Sequence, residues 1–210
     1  MTNNDTRLTA SDVAETKIDT DLLITVSGPP GCGATTLCNR LSAAMDCPYV
    51  SGGDIFRELA EENDISLNQQ IAEADTSDSI DRALDDRLQS IAEKWGAADK
   101  PFILESRLAG WLAGEHADLR IWLDAPEAVR LDRIDGRAET EAEMRVREVS
   151  EAGRYQSYYD IDVDDREFYD LQINTARWDK EGVFQLVRAA IESYDREADE
   201  GAFGTPPVDV

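Results

Sequence analysis

Residues 22–36, Leu-Leu-Ile-Thr-Val-Ser-Gly-Pro-Pro-Gly-Cys-Gly-Ala-Thr-Thr, join a short apolar run to a helical one. Leu22 to Val26 has the apolar, β-branched character of a strand buried on both faces of a parallel sheet. Beyond the join, Leu37, Leu41, Ala44 and Met45 recur at helical spacing. Gly28, Gly31 and Gly33 let the connecting backbone curl until several N–H groups converge on one anion, at the positive end of the new helix. The segment Gly28-Pro29-Pro30-Gly31-Cys32-Gly33-Ala34-Thr35-Thr36 follows the phosphate-loop pattern G-x-x-x-x-G-K-[ST] at every defined position but one. Ala34 stands where the pattern has lysine. Thr35 keeps the hydroxyl that would touch a Mg²⁺ ion. Three readings stay open: a phosphate cradle whose missing ammonium is replaced by another cation, a nucleotide binder without turnover, and a glycine-rich turn with no ligand. The strand–turn–helix setting favours a cradle.

Composition narrows the class. The chain has 210 residues and a formal net charge of -24, which argues against nucleic-acid and anionic-membrane partners, since both need a broad basic face. Only four of its 21 basic residues are lysines (Lys17, Lys94, Lys100, Lys180). Many carboxylates with few lysines suit a cytosol at high salt, where surface repulsion is screened, so a halophilic source is expected. Cys32, Cys38 and Cys47 show neither C-x-x-C nor His-paired spacing, which points to a reducing cytoplasm and no zinc site. No run reaches the length of a membrane span, and the first residues are too polar for a signal peptide. The expectation is a cytoplasmic monomer: residues 1–20 a loose extension, 21–196 one domain, 197–210 a tail.

Along the chain, apolar runs at Cys47–Ser51, Pro101–Leu104, Ile121–Asp124 and Leu171–Asn174 predict four more strands. Asp54 is expected to cap a helix after Gly52-Gly53 and to place Arg57 on its first turn, close to the loop. The pattern over residues 67–95 is helical, with Asp81, Arg82 and Arg87 beside its apolar stripe; surface salt bridging is favoured for these three over substrate contact. Glu105-Ser106-Arg107 ends the third strand, where open parallel sheets place ligand groups, so Arg107 is a candidate anion contact. Leu108, Trp111 and Leu112 read as core. Asp160 to Asp165 lacks the central glycine and terminal glutamate of a calcium loop.

Arg130, Arg133, Arg137, Arg145, Arg147 and Arg154 form a dense basic run in an acidic chain. Helical pairing with nearby glutamates is one reading. The other is a lid: Arg133 and Arg137 share one helical face, Arg147, Glu151 and Arg154 another, and together they could close planar donors over a polyphosphate. Five strands alternating with helices predict an α/β fold with a parallel sheet and a crevice at the strands' carboxyl ends.

Four segments carry a resemblance. Gly28 to Thr36, Ser51-Gly-Gly-Asp-Ile-Phe-Arg57, Glu105-Ser-Arg-Leu-Ala-Gly-Trp111 and Tyr169-Asp-Leu-Gln-Ile-Asn-Thr-Ala-Arg-Trp178 resemble archaeal cytidylate kinases, and the likeness spans about Leu22 to Tyr194. It implies the P-loop nucleoside monophosphate kinase fold: a five-stranded parallel sheet flanked by helices, an NMP-binding part about 51–95 and an arginine-rich lid about 133–165. It also implies transfer of the ATP γ-phosphoryl to CMP or dCMP with Mg²⁺. By that resemblance residues 28–36 hold ATP, and Asp54, Arg57, Arg107 and Glu151 belong to the acceptor side. Arg133, Arg137, Arg147 and Arg154 are then the catalytic arginines. Archaeal members resembling this chain often carry threonine at position 34, so alanine departs where the subfamily already varies. Kinases for AMP or UMP share every phosphate feature, and a shikimate-type kinase is the more distant alternative.

Overall fold

The computed structural model describes residues 17–74, 77–98, 100–134, 141–199 and 208. Five strands form one sheet: β1 Leu23–Ser27, β2 Tyr49–Ser51, β3 Phe102–Glu105, β4 Leu119–Asp124 and β5 Leu171–Asn174. All neighbours are parallel, in the order β2-β3-β1-β4-β5. Each lies where an apolar run predicts it. β1 is buried along its whole length because strands flank it on both sides and helices cover both faces.

Alternation within the strands divides the core. Ile24 and Val26 of β1 face one layer with Ile103, Ile121 and Ile173, under helices α1 Ala34–Met45 and α8 Lys180–Ser193. Leu23 faces the other with Leu104 and Trp122. That second layer is closed by α2 Gly52–Glu62, α4 Ser79–Gly96, the short α5 Ala109–Leu112 and the C-terminal part of α7 Glu141–Tyr159. Leu108, Trp111 and Leu112 are core, as their apolar spacing predicts. The helices α3 Leu67–Ala74 and α6 Glu127–Ile134 complete the chain order.

Two local readings need correction. The helical pattern over 67–95 is interrupted: α3 is Leu67–Ala74 and α4 starts at Ser79. The Ser77 hydroxyl accepts from the Ser79 amide at 3.3 Å, a side-chain bond that competes with helix continuation. Asp54 is not a cap. The helix begins at Gly52, and the Asp54 carboxylate pairs instead with Arg57, one turn along, which puts Arg57 on the second turn. The extension 1–16 and most of the tail 200–210 lie outside the described residues.

The β1–α1 connection is built by close approach. A Cβ on Gly28 would meet the Leu123 carbonyl oxygen at 2.2 Å, so only glycine lets the loop leave β1 against β4. Gly33 caps α1 with φ 101°, left-handed backbone that side-chain-bearing residues rarely adopt.

Candidate active site

A cleft of about 1520 Å³ opens at the carboxyl ends of β1, β2 and β3. The whole Gly28 to Thr36 loop lines one half of it. Three of the loop's carbonyls are held by side chains from beyond the loop. Arg130, buried, donates Nη1 to the Pro30 oxygen at 3.0 Å and pairs with Glu148. Arg133 donates Nη1 to the Gly31 oxygen at 3.1 Å and to the Thr175 hydroxyl at 2.8 Å, and Nη2 to the Thr175 carbonyl at 2.9 Å. The Thr175 hydroxyl in turn donates to the Cys32 carbonyl at 2.8 Å. With three successive carbonyls engaged by side chains, the first amides of α1, which have no intrahelical partner, are left for a ligand in the cleft that the loop lines. Ala34 lines this half and presents only a methyl group. Cys32 is inert as a nucleophile, since burial pushes its thiol up to about 11.

The other half is walled by α2, α4, the end of β3 and α7. Arg107 has Nε and Nη1 shielded from solvent with no hydrogen-bond partner among the described residues, and its guanidinium lies 5.5 Å from the Trp122 ring centroid. It lines the cleft with no ion pair to a carboxylate among the described residues. Glu105, two residues earlier, has a buried Oε2 that also lacks a partner, and burial raises its carboxyl above the usual range. Arg57, paired with Asp54, lines the rim. From α7, Arg154 donates Nε to Asp81 at 2.5 Å and Nη1 to Ser150 at 2.6 Å, with Glu151 and Tyr155 beside it. Burial and neighbouring Asp81 raise Asp85 to about 7.

The structure therefore brings the loop, Arg57, Arg107, Arg133, Glu151 and Arg154 to one cleft. Asp54 reaches it through Arg57. Arg137 lies outside the described residues; Arg147 falls on α7, its side chain outside them. Part of the basic run is structural: Arg130 pairs with Glu148, and Arg145 with Glu127. Arg82 and Arg87 make the expected surface pairs, with Asp78 and with Glu58 and Glu62. Asp81 does not, because it is buried against Arg154. Sequence reasoning missed Asp85 and Thr175. The signal for Asp85 was present: Asp81, Asp85, Leu88 and Ala92 recur on one face, two carboxylates in a stripe that is otherwise core.

Among the described residues no helix is long and apolar enough to cross a membrane. A family model described as an AAA domain matches residues 24–156. The chain is 49% identical over 187 residues to a cytidylate kinase of Haloquadratum walsbyi, covering 87% of this chain and 95% of that relative. It is 50% identical to the cytidylate kinase of Haloarcula marismortui, over 86% and 94% of the two chains, and 42% identical to that of Thermococcus sibiricus, over 88% and 95%. Haloarchaeal relatives agree with the acidic, lysine-poor composition. Among solved structures, a gluconokinase from Sinorhizobium meliloti superposes with TM-score 0.56 at 13% identity, over 83% of this chain and 93% of that one. A shikimate kinase from Bacteroides thetaiotaomicron gives 0.53 at 14%, over 81% and 98%. At such identities these two show the P-loop kinase fold alone.

Proposed function

The chain belongs to the cytidylate kinase family and carries its AAA domain, and on that premise we propose that it transfers the γ-phosphoryl group of ATP to CMP or dCMP, giving ADP and CDP or dCDP. In that reaction negative charge spreads over the moving phosphoryl, so catalysis is positioning plus cations and needs no nucleophile from the protein. The reading rests most on one observation: the glycine-rich loop and the Arg107 guanidinium, whose Nε and Nη1 lack a partner among the described residues, line the same cleft. The loop gathers the ATP phosphates. Arg107 and Arg57 grip the acceptor phosphate, with Asp54 orienting Arg57 and Glu151 standing opposite on α7.

In this reading residues 51–95 form the acceptor-binding part and 133–165 the lid. Arg133, Arg137, Arg147 and Arg154 bring guanidinium charge to the phosphates and stand in for the ammonium that Ala34 lacks. Mg²⁺ fits the donors present, since the Thr35 side chain and the orphaned Glu105 Oε2 line the cleft as hard oxygens. Bound there with ATP, the ion would neutralise charge on the phosphate oxygens.

Ala34 also supports a second reading, a module that binds nucleotide without turnover. A coupled ADP-release assay divides them: ATP and Mg²⁺ in molar KCl with CMP, dCMP, UMP, AMP or shikimate as acceptor. The kinase reading requires ADP formation with CMP or dCMP above the other acceptors. No ADP with any acceptor favours the silent binder, and preference for AMP or UMP reassigns the substrate.

A further inference from the structure

Asp85 sits deep in the acceptor half of the cleft, one helical turn beyond Asp81 on α4. Both residues are buried, 3% and 5% exposed, yet both line the cleft. Their partners differ. Asp81 is held by Arg154, whereas Asp85 Oδ2 is shielded from solvent and makes no hydrogen bond of full geometry among the described residues, with the Tyr159 hydroxyl, itself unsatisfied, as its polar neighbour. A buried polar atom without a partner, in the wall of a cleft, marks a place for a ligand atom. The surroundings fit a flat heterocycle: Phe56, Ala74, Leu84 and Leu88 line the same wall. An acceptor whose phosphate meets Arg107 near the loop must extend its base away from the loop, along this wall.

The titratable and charged groups facing Asp85 are Asp81 and Arg82 of α4 and Arg154, Tyr155 and Tyr159 of α7. From α2, which also packs on α4, Glu58 and Glu62 are engaged by Arg87 on its exposed side. Burial is the larger cause that keeps Asp85 protonated, and Asp81 adds to it, so its carboxyl titrates at about 7.

Building on the kinase reading, we propose that Asp85 is a specificity-determining residue that reads the acceptor base as a neutral acid, its Oδ2–H donating to the ring N3 of cytosine. Cytosine presents a lone pair at N3, whereas uracil presents an N–H there, which opposes the acid's own proton. A site built to hydrogen-bond one group rejects an analogue that leaves it unpaired. Above the titration of Asp85 the donor is lost and two lone pairs face each other.

The test is calorimetric titration of CMP and UMP into the full chain in molar KCl, at pH 6.5 and 8.5. The ratio of the two affinities cancels the titration of the shared phosphate. In the parent the preference for CMP should fall by about tenfold or more between these pH values. Asp85→Asn, whose amide keeps a donor that does not titrate, should hold one preference at both, and Asp85→Ala should erase it with ATP affinity unchanged. A parent ratio that is constant, or that rises with pH because a carboxylate accepts from the amino group, overturns the proposal. So does a CMP preference retained in Asp85→Ala. A parent that binds CMP as described but forms no CDP leaves this contact standing and removes the kinase reading.

Discussion

Arg133 donates through Nη1 to the main-chain carbonyl of Gly31 at 3.1 Å. The same guanidinium bridges on to Thr175, the residue that follows β5, so one side chain ties the phosphate loop to the far strand of its sheet. A fixed positive charge thus stands against the loop whose motif lysine is replaced by Ala34. Arg133→Ala and Arg137→Ala should each lower kcat by about 10²- to 10³-fold, several kcal/mol of transition-state stabilisation. Arg133→Lys should recover only part, because an ammonium cannot span both partners of a planar fork. Unchanged kcat in both alanine variants would refute arginine compensation.

Arg107 gives a separable prediction. Its shielded Nε and Nη1 have no partner among the described residues, and each charge-assisted bond they could make to an acceptor contributes about 1.5–3 kcal/mol. Arg107→Met should weaken CMP binding by at least about 10²-fold and leave ATP binding within about twofold. Equal weakening of both nucleotides in calorimetry would place Arg107 in the general scaffold rather than on the acceptor.

Asp85 links the site to stability. Its folded value of about 7 lies above the ordinary 3.8, so between these values the folded chain holds a proton that the unfolded chain has released. That contribution is complete below the unfolded value and is lost as pH rises through 7, of order 4 kcal/mol at full titration. Asp85→Asn removes the dependence. The melting temperature of Asp85→Asn minus that of the parent should therefore climb from pH 4.5 to pH 8 at fixed high salt. A difference independent of pH would mean that the Asp85 carboxyl is ionised throughout.

A net charge of -24 makes salt part of the fold's stability. Repulsion among surface carboxylates is screened within a few ångströms at molar ionic strength and extends much further in dilute buffer. Thermal melts in dilute buffer and in molar KCl should differ by many degrees in favour of salt. Equal melting temperatures would remove the halophilic reading.

The strands and the loop were legible because each leaves a local signature. Buried parallel strands such as Phe102–Glu105 read as apolar runs, here Phe102 to Leu104, and the glycine at position 28 answers a steric demand set one strand away. The break between α3 and α4 was hidden, since apolar periodicity runs on across Ser77 and Asp78 while the Ser77 hydroxyl takes over a backbone amide and the Asp78 carboxylate is drawn to the Arg82 side chain. Asp81 was misread for a similar reason: a carboxylate on a helix reads as solvated until its partner, 73 residues away on another helix, is known. Thr175 offered no signal at all. Its contacts with Cys32 and Arg133 exist only once β5 is packed beside β4.

The central claim is that a phosphate loop without its lysine still delivers a phosphoryl group to CMP. Incubating the full chain with ATP labelled in its γ-phosphoryl, Mg²⁺ and CMP in molar KCl, and separating the products over the first turnover, tests this directly. The label should pass into CDP in step with ADP release. Label that stays in ATP, or that appears as free phosphate whether or not CMP is present, contradicts it.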